Sequence, residues 1–174
     1  QQAAQRLVDN IKSYGYHLTT GFLGTPYLCD VLTRFGHTDV AYRLLLQETY
    51  PSWLYPVKMG ASTIWERWDV IKPNGDPQTP GMNSYNHYAY GAIGDWMYRV
   101  VAGIDTDEKE PGYKKIIIKP HPNEKLTYAE ASLDTYYGKI ISSWKTDNGK
   151  FSMDVQIPAN TTATVYIPVK SVDL

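Results

Sequence analysis

The stretch Ser62-Thr63-Ile64-Trp65-Glu66-Arg67-Trp68-Asp69 sets one carboxylate between two tryptophans and a second carboxylate one short step later. Indole faces offer an apolar platform to the C–H face of a sugar ring, and a carboxylate beside them can accept a hydroxyl hydrogen bond or activate a water. The same residues also describe a packed tryptophan pair with Glu66 and Arg67 ion-paired between them. On residue types alone the two readings weigh equally. Glycoside hydrolysis requires two carboxyl groups about the scissile bond, roughly 6.5–9.5 Å apart when a water must fit between base and sugar. Of the carboxylates in this region, Glu66, Asp69 and Asp76, Glu66 is the best candidate for one of the pair. Asp69 is too close to it in sequence to be placed across a sugar, and no second partner is evident in the chain.

A second group lies downstream, in Asn83-Ser84-Tyr85-Asn86-His87-Tyr88-Ala89-Tyr90-Gly91. His87 stands there among polar residues and could donate to a sugar hydroxyl or orient a carboxylate. A histidine satisfied by nearby backbone is an equally weighted alternative. Other chemistries find less support. His17, His37, His87 and His121 are scattered without metal-ligand spacing, so no metal site is expected. Gly21-Phe22-Leu23-Gly24-Thr25 precedes a helix but is not followed by the Lys-Ser/Thr of a phosphate loop. No motif supports a serine or cysteine nucleophile.

Composition bounds the partners. The 174 residues suffice for one domain or two small ones, and a hydrophobic fraction of 43% allows a real core. Lys+Arg is 17 and Asp+Glu is 18, so the basic surplus usual for nucleic-acid binders is missing. The chain has 15 Tyr and 5 Trp against 3 Phe, a bias toward rings with a polar tip that suits sugars but also fills half-exposed sheet faces. The single cysteine, Cys29, rules out a disulfide within the chain and reads as a buried small hydrophobe. No targeting segment or membrane-length apolar run is visible. The opening Gln1-Gln2-Ala3-Ala4-Gln5-Arg6-Leu7 reads as the middle of a helix, which predicts a natural start further upstream.

The elements that must position these residues follow from periodicity. Ala4, Leu7, Val8 and Ile11 form a helical stripe. Thr25-Pro26 reads as an N-cap followed by Pro at the first helical position, and the helix continues through Leu28, Val31, Leu32 and Phe35 to Gly36. Thr38 caps a further helix through Val40, Ala41, Leu44 and Leu45, giving an αα-hairpin. Residues 52–83 are loop-rich yet hold Trp53, Trp65 and Trp68, which favours a functional loop over a disordered one. Helical spacing returns at Ser84 and runs to Gly103, with Gly91 and Gly94 expected to permit close packing. Residues 105–112 read as a charged linker. Beyond them the period is two, with a buried strand at 115–119, alternation over 126–135 and 137–145, a turn at Asp147-Asn148-Gly149, and strands around 151–157 and 164–168. The expected class is α then β, with an antiparallel sandwich for the β-module.

Three blocks stand in a telling order: Gly21-Phe22-Leu23-Gly24-Thr25-Pro26, Met59-Gly60-Ala61-Ser62-Thr63-Ile64-Trp65-Glu66-Arg67-Trp68-Asp69, and Ser84-Tyr85-Asn86-His87-Tyr88-Ala89-Tyr90-Gly91. Together they resemble the bacterial α-L-rhamnosidases of glycoside hydrolase family 78, and Ile116-Ile117-Ile118-Lys119-Pro120 is similar to the start of that family's C-terminal β-domain. The resemblance spans essentially the whole chain and draws its specificity from the joint occurrence of the Trp-Glu-Arg-Trp-Asp and Asn-His-Tyr blocks. It implies helices of a partial (α/α)6 barrel over 1–104, a linker over 105–112 and a jelly-roll-like antiparallel β-sandwich over 113–174. It implies hydrolysis of terminal α-L-rhamnose with inversion, without a cofactor. Glu66 falls on the general-base position and His87 on a rhamnose-contacting histidine. Trp65 and Trp68 carry over as pocket walls, and Asp69 and Asn86 join them as substrate-binding candidates.

One departure accompanies the match. The family's general acid is a glutamate in an Asp-Glu-Arg block early in the barrel, and this sequence has no such block. The resemblance therefore implies the C-terminal part of a longer rhamnosidase, inactive by itself. Its expected partners are a rhamnoside and the missing N-terminal portion of the same protein, with no nucleic acid and no membrane segment. A periplasmic or extracellular location is favoured over a cytoplasmic one. Three readings compete: another α/α-barrel glycosidase of glucoamylase or trehalase type, a non-catalytic carbohydrate-binding module in which Glu66 only accepts hydroxyls, and a structural fragment without function of its own.

Overall fold

The computed structural model describes residues 1–169 and divides into two compact units, Gln1–Ile93 and the chain from Gly94 onward. In the first unit, helices α1 (Gln2–Ser13), α2 (Thr25–Arg34) and α3 (Thr38–Leu45) turn their apolar stripes inward. Ala4, Val8 and Ile11 are buried from α1, Leu28, Cys29 and Leu32 from α2, and Val40, Ala41, Leu44 and Leu45 from α3. Gly36, at φ +85°, makes the tight turn between α2 and α3, a conformation that only glycine adopts without strain. The helix starts differ by a residue from expectation. Gly24 and His37 occupy the N-cap positions, so Thr25 and Thr38 are the first helical residues. The Thr25 hydroxyl is instead engaged with Thr20, at 2.8 Å from its hydroxyl and 3.2 Å from its carbonyl. Burial, with a smaller contribution from Asp30, pushes the Cys29 thiol up to about 12, as befits an inert core residue.

After α3 the chain forms one short helix, α4 (Leu54–Lys58), within a long irregular region. The continuous helix expected from Ser84 does not form. Helical structure starts only at Ala89, as a 3-10 turn (Ala89–Ala92) leading into α5 (Ile93–Trp96) and a π-helical turn (Met97–Val101). The backbone of Ser84 and His87 is already committed to residues 64–66, which removes it from any helical ladder. The two glycines also differ from expectation. A Cβ at Gly91 would meet Ile64 at 3.4 Å, an ordinary contact, while Gly94 has nothing within 4 Å, so close packing explains neither strongly.

The second unit holds two three-stranded sheets, in the orders β1-β2-β6 and β3-β4-β5. Strands β1 (Ile104–Thr106) and β2 (Lys115–Ile118) are antiparallel, whereas β2 and β6 (Thr162–Val165) run parallel. One sheet is thus mixed, which corrects the all-antiparallel expectation. The stretch expected as a linker also carries structure: Asp105 and Thr106 pair with Ile117 and Ile116, and Asp107 bridges Glu110. The second sheet is a meander of β3 (Tyr128–Thr135), β4 (Gly138–Asp147) and β5 (Lys150–Gln156). Asn148 and Gly149, both at positive φ, close the β4–β5 hairpin between paired Asp147 and Lys150 in the twist-matched two-residue form. Ile104, Ile116 and Ile118 of the first sheet share one core with Ile140 of the second.

Side chains of β4 finish the helix that opens this unit. The last carbonyls of a helix have no partner within it. Here Trp144 Nε1 donates to Val101 O at 2.7 Å and the Ser142 hydroxyl donates to Ala102 O at 2.7 Å, with Trp144 and Ser142 at 1% and 0% exposure. Gly103 follows at φ +86° with the chain packed so close that a Cβ would lie 2.3 Å from Pro120 N.

Candidate active site

Glu66 and His87 are brought together by backbone pairing. The Glu66 N–H donates to Ser84 O at 3.0 Å and the His87 N–H donates to Ile64 O at 2.8 Å, so two irregular segments, 64–66 and 84–87, lie side by side. The Thr63 hydroxyl donates to Tyr85 O at the same junction. The Ser84 N–H donates to Glu66 Oε2 at 2.8 Å, leaving the carboxylate half-buried and fixed by a main-chain donor. A hydrogen bond to a carboxylate is charge-assisted and about twice as strong as a neutral one, which makes it an effective rotamer lock.

His87 sits in a stack of rings. Phe22 lies against it with centroids 4.7 Å apart and planes 12° apart, and Tyr88 covers it at 5.8 Å and 3°. Its Nδ1 accepts from the Ala89 N–H at 3.3 Å. An accepting Nδ1 places the proton of the neutral ring on Nε2, so Nε2 is the donor left for a ligand.

The two tryptophans of the motif part company. Trp65 is only 4% exposed and belongs to a core cluster with Tyr55 and Val70, with Tyr85 edge-on at 5.9 Å. It underlies the site by packing rather than presenting a face. Trp68 is half-buried, stacked on Tyr90 at 3.8 Å and edge-on to Trp53 at 5.8 Å. Its Nε1 is buried without a hydrogen-bond partner among the described residues. A buried donor left unpaired costs about 1–3 kcal/mol. Trp53 is anchored in turn, its Nε1 donating to Tyr90 O at 2.9 Å. A cavity of about 30 Å³ between these rings is far below the size of a sugar.

Asp69 is not free for a sugar. Its Oδ1 accepts from Arg67 Nε at 3.2 Å and its Oδ2 from Gln78 Nε2 at 2.7 Å, and its side chain is 19% exposed. Nearby, burial and then the Asp69 charge hold the Tyr50 and Tyr55 hydroxyls above their ordinary value, and Tyr55 donates to Ile71 O at 2.6 Å. Asn86 is exposed, and its N–H donates to the Ser84 hydroxyl at 3.1 Å. Phe22, Tyr90, Gln78 and the Ser84 N–H were not singled out by residue type. Phe22, Ser84 and Tyr90 lie within the motif blocks, whereas Gln78 carries no local signal. No group of three or more His, Cys, Asp or Glu among the described residues could hold a metal ion.

Helices joined to an irregular region that sets a carboxylate and a histidine among aromatic rings, followed by β-sheets, fit the organisation of a glycosidase domain with an appended β-domain. Residues 1–101 match the model of the bacterial alpha-L-rhamnosidase 6 hairpin glycosidase domain, and residues 103–174 match that of the bacterial alpha-L-rhamnosidase C-terminal domain. The chain belongs to the bacterial α-L-rhamnosidase family. It is 50% identical over 171 residues to an alpha-L-rhamnosidase of Streptomyces avermitilis and 48% identical over 168 residues to one of Formosa agariphila. Those alignments cover 98% and 97% of this chain but 16% and 18% of the relatives. The crystal structure of the Streptomyces avermitilis enzyme complexed with L-rhamnose superposes with a TM-score of 0.93 at 50% identity, over 97% of this chain and 16% of that one. The Aspergillus terreus enzyme superposes with a TM-score of 0.91 at 42% identity, over 97% of this chain and 20% of that one. The chain thus spans about one sixth to one fifth of the relatives it matches.

Proposed function

We propose that this chain is part of an inverting α-L-rhamnosidase that releases terminal α-L-rhamnose, with Glu66 as general base. The carrying observation is the adjacency of Glu66 and His87 through paired segments, in a chain of this family. In this reading one oxygen of Glu66 stays bonded to the Ser84 N–H while the other takes a proton from water as it attacks the anomeric carbon. His87 Nε2 donates to a rhamnose hydroxyl, Trp68 walls the sugar, Trp65 supports the site from beneath, and Asn86 lies at the rim. The helices of the first unit belong to an (α/α)6 barrel, and the strands from Ile104 to Val165 belong to a β-sandwich of jelly-roll type.

Inversion needs a second carboxyl group across the bond. Asp69 does not qualify, since both its oxygens serve Arg67 and Gln78. The family's acid-bearing Asp-Glu-Arg block has no counterpart here, so this reading assigns the general acid to sequence outside these 174 residues. The 174-residue chain alone is expected to give no turnover of an aryl α-L-rhamnoside, while a full-length protein carrying it is expected to hydrolyse the substrate and release β-configured rhamnose. Robust turnover by the isolated chain, abolished by Glu66→Gln, would overturn the assignment of the acid. Release of α-configured sugar by the full-length protein would overturn inversion.

A further inference from the structure

We propose that Gln78 is a positioning residue for the carboxylate of Glu66, acting with Asp69 as a latch on the segment that returns to the site. The proposal deepens the reading of Glu66 as general base and rests on it. The Ser84 N–H that holds Glu66 stands at the end of an irregular stretch, and an irregular stretch fixes a hydrogen-bond donor only if it is fastened nearby. Gln78 does the fastening. Its N–H donates to Val70 O at 2.8 Å and its Nε2 to Asp69 Oδ2 at 2.7 Å. Its own carbonyl receives Asn83 Nδ2 at 3.4 Å, one residue before Ser84. Asp69 is braced from its other oxygen by Arg67, the neighbour of Glu66.

The path Arg67–Asp69–Gln78–Asn83–Ser84–Glu66 is therefore a ring of contacts that starts and ends beside the base. It explains why Asp69, placed within three residues of Glu66, has both oxygens turned to protein rather than to a ligand. Misplacing a reacting group by about 1 Å costs on the order of 100-fold in rate. A base held by a single main-chain donor is sensitive to the placement of that donor.

The test uses the full-length enzyme that carries this segment, assayed on an aryl α-L-rhamnoside with thermal unfolding in parallel. Gln78→Glu sets two carboxylates face to face and is expected to lower kcat by about 10- to 100-fold, with KM changed by less than about threefold. The double variant Asp69→Asn with Gln78→Glu reverses the donor and acceptor while conserving net charge. It is expected to recover kcat to within about threefold of the parent. Wild-type kcat in Gln78→Glu would overturn the latch. So would failure of the double variant to recover kcat when its melting temperature matches the parent. Glu66→Gln is the separate control: full activity there would overturn the general-base reading itself, whereas inactivity there with a normal Gln78→Glu would overturn only the latch.

Discussion

At the scale of single residues, the function proposed above divides the work between two side chains. With Glu66 as base, Glu66→Gln keeps shape and the Ser84 hydrogen bond but cannot accept a proton. In a full-length enzyme its kcat is expected to fall by about 10²–10⁴, with little change in KM. His87→Phe preserves the stack with Phe22 and Tyr88 but deletes Nε2. Loss of one neutral hydrogen bond of about 1 kcal/mol predicts a rise of about fivefold in KM for the rhamnoside, measurable in the same assay. Both positions stood out in the sequence as candidates because carboxylate and imidazole side chains carry titratable chemistry in their type, and the motif blocks around them tipped the balance toward a site. What joins them was not legible, since it is main-chain pairing between residues far apart in the chain. Nor does sequence distinguish Trp65, in the core, from Trp68, stacked on Tyr90. Both fit the same motif, and only tertiary packing separates them.

At the scale of elements, the junction of helix and sheet in the second unit is where the structure tolerates least. Gly103→Ala combines a left-handed backbone with a Cβ placed 2.3 Å from Pro120 N. A loss of at least about 2 kcal/mol is expected, read as a lowered urea midpoint. Trp144→Phe removes the donor to Val101 O from a buried site, and about 1–3 kcal/mol is expected to go with it in the same measurement. The β3-β4-β5 meander was readable because alternation and the Asn148-Gly149 turn are local signals. The parallel partnership of β2 with β6 was not, because nothing in either segment names a partner so remote in sequence. The helix expected from Ser84 failed for a related reason. Spacing there suits a helix, but tertiary hydrogen bonds to 64–66 outweigh propensity.

At the scale of the whole molecule, acid sensitivity has an identifiable contributor. Burial, and then the Lys119 charge, lower the pKa of His121. The unfolded chain therefore binds this proton more tightly than the folded one. The stabilising effect is fully present above the ordinary value of about 6.5 and declines as pH falls through the depressed folded value. The drop in urea midpoint between about pH 7.5 and pH 5.5 is expected to shrink in His121→Gln. Family membership was legible because the motif blocks span nearly the entire sequence, and the matches over 1–101 and 103–174 agree with that breadth.

The pairing of 64–66 with 84–87 has a consequence for how such a site diversifies. Both ends of the intervening excursion are clamped, and its tip at Asn74-Gly75 is exposed beyond the bridge between Ile71 and Pro77. Closing a longer loop costs only about 0.6 kcal/mol per doubling of length. Residues inserted at Asn74-Gly75 thus stay outside the contacts among Arg67, Asp69, Gln78 and Asn83. Under the function proposed above, this tip alone is a module that can be lengthened to meet different substrates while Glu66 and His87 keep their places.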